Sequence, residues 1–129
     1  MREGDRPRIR SHRDLTIWQR SMQLVNETYD LTESYPKREM YGLTAQMRRS
    51  AVSIPANIAE GQGRNGTRDF LRFLAMARGS LRELDTYCDV SEMRGYATER
   101  VLRRTRQLIA EVGKMHTALS AALRRKLPP

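Results

Sequence analysis

The chain has one cysteine, Cys88. It can form no internal disulfide and supplies no Cys-based zinc site within one chain. A lone thiol suits a reducing compartment, so a cytoplasmic location is expected. Aromatic residues make up only 6% of the sequence, while Leu, Ala, Arg, Met and Glu are common, a bias toward helix over strand. No apolar run nears the roughly 18 residues of a membrane span, so no membrane partner is expected. The Arg-rich start has no apolar stretch behind it, which argues against a signal peptide. The two histidines, His12 and His116, lie far apart. No His/Glu pair has helical ligand spacing, so neither a metal site nor a cofactor is expected.

Negative charge is also short. Fifteen Asp and Glu face twenty-four Lys and Arg, a net charge of +9. Nearly all the cations are arginine, whose planar fork suits phosphate. This balance favours a polyanion partner, RNA or DNA. The alternative is an adaptor whose charge serves an acidic protein, without direct nucleic-acid contact.

The length, 129 residues, fits one domain. Residues 1–13 are rich in Arg, poor in apolar side chains, and read as a disordered basic arm. Residues 14–127 read as a four-helix bundle. In the first helix, T-I-W-Q from Thr16 has capping-box form, and Ile17, Leu24 and Leu31 recur every seven residues. Pro36 should end this helix near Ser34. The second starts within R-E-M-Y-G-L-T-A-Q and should stop at Gly61 and Gly63. The third, capped by Asn65 or Thr67, carries Phe70, Leu74, Ala77, Leu81, Leu84 and Cys88 as a seam ended by Gly95. The fourth, capped by Thr98, carries Val101, Thr105, Leu108, Val112, Met115, Leu119 and Ala122. Met22, Met40, Met47, Met76, Met93 and Met115 read as core fillers. The expected fold class is all-α, an antiparallel up-and-down bundle.

The second helix is unusual. Leu43, Met47, Ala51, Ile54 and Ile58 form its bundle-facing stripe, but Ala45, Val52, Ala56 and Ala59 make its back apolar too. The apolar arc spans about 240°, more than one core needs. The economical cover for the back is another copy of the chain, in a ring-like homo-oligomer. A polar row of Gln46, Arg49, Ser53, Asn57, Glu60 and Arg64 runs along the remaining edge. It reads as a network that sets interface register. The expected interface is thus Ala45, Arg49, Val52, Ser53, Ala56, Asn57, Ala59 and Glu60. Pro55 leaves the Ala51 carbonyl without its helical donor, and a kink is expected.

Catalysis has little footing. Glu60 has no second carboxylate, His or Cys beside it, and Cys88 continues an apolar seam. Gly61-Gln62-Gly63 lacks the preceding strand and the Lys-Ser/Thr of a phosphate loop. No enzyme and no small-molecule substrate are expected. The basic face offers more. Arg68, Arg72, Arg78 and Arg82 share about 120° of the third helix, with Asp69, Asp85 and Asp89 at the flanks. Arg103 and Arg106 point away from the core of the fourth. These six arginines are the expected nucleic-acid contacts. No aromatic platform accompanies them, so little sequence readout is expected.

D-L-T-I-W-Q at 14–19, Y-G-L-T-A-Q-M-R-R-S-A-V-S-I-P-A-N-I-A-E-G-Q-G-R at 41–64 and F-L-A-M-A-R-G-S-L-R-E-L-D-T at 73–86 closely resemble a bacterial four-helix bundle family. Its members include proteins encoded in intervening sequences of 23S ribosomal RNA genes. The resemblance covers residue 14 to about residue 120. It implies an up-and-down bundle assembled as a homopentamer. It also implies a distant relationship to the accessory variability determinant of diversity-generating retroelements, a basic pentameric bundle that works with a reverse transcriptase and its RNA. The arginine excess and the Arg-rich start depart from the typical pattern and strengthen the expectation of a nucleic-acid role.

Overall fold

In the computed structural model, residues 9–129 are described. Within them a 3-10 turn at His12–Asp14 leads into α1 (Thr16–Thr32). A second 3-10 turn (Lys37–Glu39) precedes α2 (Leu43–Gln62), followed by α3 (Thr67–Met93) and α4 (Glu99–Arg124). No strand occurs among the described residues. Residues 1–8 of the expected basic arm lie outside them. Its last part is ordered: the Ser11 hydroxyl accepts from the Arg13 N–H, the Asp14 carboxylate accepts from the Ser11 N–H, and His12 packs edge-on against Trp18 at 5.1 Å.

The apolar stripes meet as their spacing predicts. Leu24 of α1, Met47, Ile54 and Ile58 of α2, Leu74 and Leu84 of α3, and Leu102, Leu108 and Val112 of α4 are essentially inaccessible to solvent. Each helix packs against two neighbours, in the cyclic order α1, α2, α3, α4. Cross-links show that neighbours run antiparallel. On α2 and α3, Ser53 meets Ser80 while the earlier Met47 meets the later Ser91. On α3 and α4, Leu74 meets His116 while Asp89 meets Arg106. Thr28 and Thr32 donate to the Leu24 and Thr28 carbonyls of their own helix at 2.8 Å, whereas the buried hydroxyls of Ser21, Tyr35 and Thr105 have no hydrogen-bond partner among the described residues.

Several local expectations change. Thr16 is inside α1 and caps nothing: Leu15 holds the N-cap position with no side-chain bond, and the capping box at Ser11 and Asp14 belongs to the preceding 3-10 turn. Gln19 does reach back, donating to the Arg13 carbonyl at 2.8 Å. Neither Asn65 nor Thr67 caps α3; Gly66 holds that position at φ +115, with no side-chain bond. Thr98 caps α4 as expected, accepting from Val101 at 3.2 Å. Gly95 ends α3 at φ +74: its N–H meets the Glu92 carbonyl and the Tyr96 N–H meets that of Ser91, the paired bonds of a Schellman stop.

The seam of α4 also drifts. Leu102, Thr105, Ile109, Val112, His116, Ser120 and Leu123 are buried, whereas Val101 is exposed. A straight helix gains about 20° on each strict heptad, so the stripe moves one residue off the expected Met115, Leu119 and Ala122. Of the methionines read as fillers, Met47 is buried and Met115 packs partly against the core; Met22, Met40, Met76 and Met93 are exposed. Pro55 sits buried within α2, which continues through it to Gln62.

Gly61 is the largest revision. It is not a stop. It is buried within α2, and a Cβ placed there would lie 2.8 Å from Phe73 Cβ and 3.3 Å from the Phe70 carbonyl oxygen. The glycine lets α2 and α3 approach at that end of the bundle. The helix ends at Gly63, whose φ of −77 lies in the ordinary helical region.

Candidate nucleic-acid interface

The buried stripe of α3 fixes what its other faces present. With Leu74, Ala77, Leu81 and Leu84 turned inward, Arg68, Arg72, Arg78 and Arg82 are exposed. They are not equivalent. Arg72 lies back on its own helix, its Nε 3.6 Å from Asp69 Oδ1 and its guanidinium 4.6 Å above the Phe73 ring. Arg64 stands 5.3 Å from the same ring and pairs with Glu60. Arg68, Arg78 and Arg82 make no ion pair among the described residues.

Arg106 does not belong with them. Its guanidinium lies 3.0 Å from Asp89, 3.1 Å from Glu92 and 3.7 Å from Asp85. Three carboxylates of α3 hold one cation of α4, so Arg106 fastens the two helices and has no charge left over for phosphate. Asp85 and Asp89 therefore do not merely flank the arginine face. They continue its strip toward the C-terminal end of α3, where Arg106 offsets part of their negative charge. Arg103 is exposed and lines a separate shallow depression with Glu99 and Gln107. On α3 the unpaired positive charge thus lies on its N-terminal and middle turns, at Arg68, Arg78 and Arg82, while Arg100, Arg103, Arg104 and Lys114 are exposed cations of α4.

Arg78 and Arg82 stand beside a groove between α3 and α4, about 400 Å³ in volume. Leu81 and Ile109 supply its apolar surface, Asp85 adds a carboxylate that lies 3.7 Å from Arg106, Gly113 presents no side chain, and His116 and Thr117 complete the α4 side. His116 is buried, and its Nε2 lies 2.7 Å from the Leu74 carbonyl oxygen. A carbonyl only accepts, so Nε2 carries the hydrogen. Burial first, then the charges of Arg78 and Arg124, hold the imidazole below its usual pKa, against the opposing pull of the Leu74 carbonyl. The ring is neutral at pH 7, and the groove's cations are its arginines. Reasoning from sequence weighed His116 only as a metal ligand and passed over Gly113 and Thr117. The signal available was a histidine and a glycine three apart on α4, opposite the Arg78–Arg82 turn once the helices are antiparallel.

The expected assembly row has its own geometry. Val52 and Ala56 are exposed on α2, Ala45 and Ala59 are half-buried, and exposed Met76 adds to the apolar surface of α3. The polar row resolves into local sets. Arg49 donates to Gln46 at 3.1 Å, and Asn57 donates to the Ser53 carbonyl at 2.8 Å and to its hydroxyl at 3.0 Å. The Ser53 and Ser80 hydroxyls bond at 2.8 Å, joining α2 to α3.

A sequence model of the family described as 23S rRNA-intervening sequence protein matches residues 13–118. Among solved structures, the fold is similar to that of a protein of unknown function from the S23 ribosomal protein family of Bacteroides thetaiotaomicron. The TM-score is 0.73 at 18% identity, over 81% of this chain and 98% of that one. At that identity the likeness concerns the fold alone. No curated protein matches the chain.

Proposed function

This chain belongs to the 23S rRNA-intervening sequence protein family, and from that premise we propose that it is a non-enzymatic, homopentameric basic scaffold that binds RNA or another nucleic acid, alone or beside a nucleic-acid enzyme such as a reverse transcriptase. The observation that carries this reading is the pair Arg78 and Arg82, exposed, in no ion pair among the described residues and set beside a groove. Arg68 extends the same charge along α3. A net charge of +9 adds the long-range attraction that steers a polyanion onto such a face.

Assembly rests on the apolar back of α2. Val52 and Ala56 leave small apolar surface open beside exposed Met76, and small side chains let a second backbone come close. Closed symmetry would repeat the α3 arginines around the ring and raise the local field. The non-enzymatic part is supported by the state of the nucleophile and base candidates. Burial pushes the Cys88 thiol up to about 12, Glu60 is paired with Arg64, and the Nε2–H of His116 is spent on a backbone carbonyl.

Binding of an unstructured RNA should weaken steeply with salt, log K falling linearly against log salt by about 0.7 per phosphate contact on a single strand. Binding that persists unchanged at high salt would refute phosphate contact and favour an acidic-protein adaptor. Light scattering is expected to give five times the chain mass of 15.0 kDa; a monomer would refute the assembly.

A further inference from the structure

We propose that the groove between α3 and α4 is a nucleotide-sized subsite that takes one unpaired base of a single-stranded nucleic acid, with a neighbouring phosphate on Arg78 and Arg82. This rests on the nucleic-acid reading above and narrows it to a conformation of the ligand.

Size comes first. The groove holds about 400 Å³, within the range of small-ligand sites. Packed helices are about 8–10 Å apart at their axes. A duplex, wider than that spacing, meets only the rim. What can enter between the helices is one flat base.

Chemistry agrees. A phosphate alone would need only the two guanidinium groups. The groove adds an apolar floor, Leu81 and Ile109, a wall left bare at Gly113, and the Asp85 carboxylate, an acceptor for a base's amino group that lies 3.7 Å from Arg106. A Cβ built at Gly113 would lie 3.8 Å from Leu81 Cδ2, an ordinary contact. A side chain is therefore sterically possible there, and would fill space that glycine leaves open. His116 is buried with its Nε2–H on the Leu74 carbonyl, and the neutral ring's other nitrogen only accepts. Apolar floor, acceptor and arginine together suit a base with its phosphate. Arginine also stacks on bases, as single-strand readers use it.

Gly113→Leu tests this, because it fills the groove without changing charge and favours helix. Anisotropy would be measured with a labelled unstructured RNA and with a duplex of the same composition. The variant is expected to bind the single strand about tenfold more weakly, the loss of one stacked base, with duplex binding within about twofold of wild type. Gly113→Ala, whose Cβ meets only an ordinary contact, is expected to lose about threefold on the single strand, and decides the matter if the leucine variant does not fold. A folded variant that binds the single strand like wild type overturns the subsite. So does an equal loss on both ligands. Wild-type protein that binds the duplex but not the single strand overturns the subsite and leaves the charged face standing. Wild-type protein that binds neither removes the underlying reading as well.

Discussion

Replacing Arg78 and Arg82 together by Glu is expected to weaken RNA binding by about 100-fold near physiological salt. A charge-assisted hydrogen bond to phosphate contributes about 1.5 kcal/mol. Two of them amount to about 3 kcal/mol, and each 1.4 kcal/mol is tenfold in affinity. Loss of two single-strand contacts should also flatten the plot of log K against log salt by about 1.4. Both side chains are exposed and make no ion pair among the described residues, and Glu is a good helix former. The fold should therefore survive, which circular dichroism can verify.

Arg106→Gln supplies the contrast. It also removes one arginine from the basic count, yet its guanidinium already lies within 3.7 Å of Asp85, Asp89 and Glu92. Its RNA affinity should stay within about twofold of wild type, since it contributes no phosphate contact to lose. A loss in log K from Arg106→Gln of about a quarter of that from the double reversal, in proportion to charge changes of about one and four units, would mean that total charge drives binding and that no local site exists. No loss from either would remove the α3 face altogether.

The distinction between Arg106 and Arg78 was not legible in the sequence. A helical wheel places charges around one helix and is silent about the helix alongside. Asp85, Asp89 and Glu92 become partners of Arg106 only when α3 and α4 run antiparallel in their actual register. The same limit hid His116. It interrupts an apolar seam with a polar ring, and only the Leu74 carbonyl across the interface explains why it is buried. The helices themselves were legible, because Leu24, Ile54, Leu84 and Leu108 sit where a period near 3.6 puts them. Helix starts were less so. Thr16 and Thr67 have capping side chains, but α1 starts from Leu15 and α3 from Gly66, neither with a side-chain cap, and the capping box at Ser11 and Asp14 serves the 3-10 turn ahead of α1. The exposed methionines failed for a different reason: methionine is apolar enough to fit a core stripe and flexible enough to remain outside one.

Gly61→Ala and Gly79→Ala are the same chemical change, and their effects on stability should have opposite signs. Both glycines lie inside helices, Gly61 in α2 and Gly79 in α3. In a helix interior, Ala is favoured over Gly by about 0.5–1 kcal/mol, because the unfolded chain loses freedom. At Gly79 an added Cβ meets nothing within 4 Å, so that gain should appear in full. At Gly61 the Cβ would sit 2.8 Å from Phe73 Cβ, 3.0 Å from Phe70 Cδ1 and 3.3 Å from the Phe70 carbonyl oxygen. The Phe70 ring can turn. The Phe73 Cβ and the carbonyl are tied to the α3 backbone, so the helices must part. Overpacking of this kind costs about 1–3 kcal/mol, more than the helical gain, and the net loss should be about 1–2 kcal/mol. Urea unfolding of both variants at one fixed protein concentration separates the two cases, since assembly makes apparent stability depend on concentration. Gly79→Ala should raise the midpoint and Gly61→Ala lower it. If both rise together, the close approach of α2 and α3 is not what requires glycine at position 61.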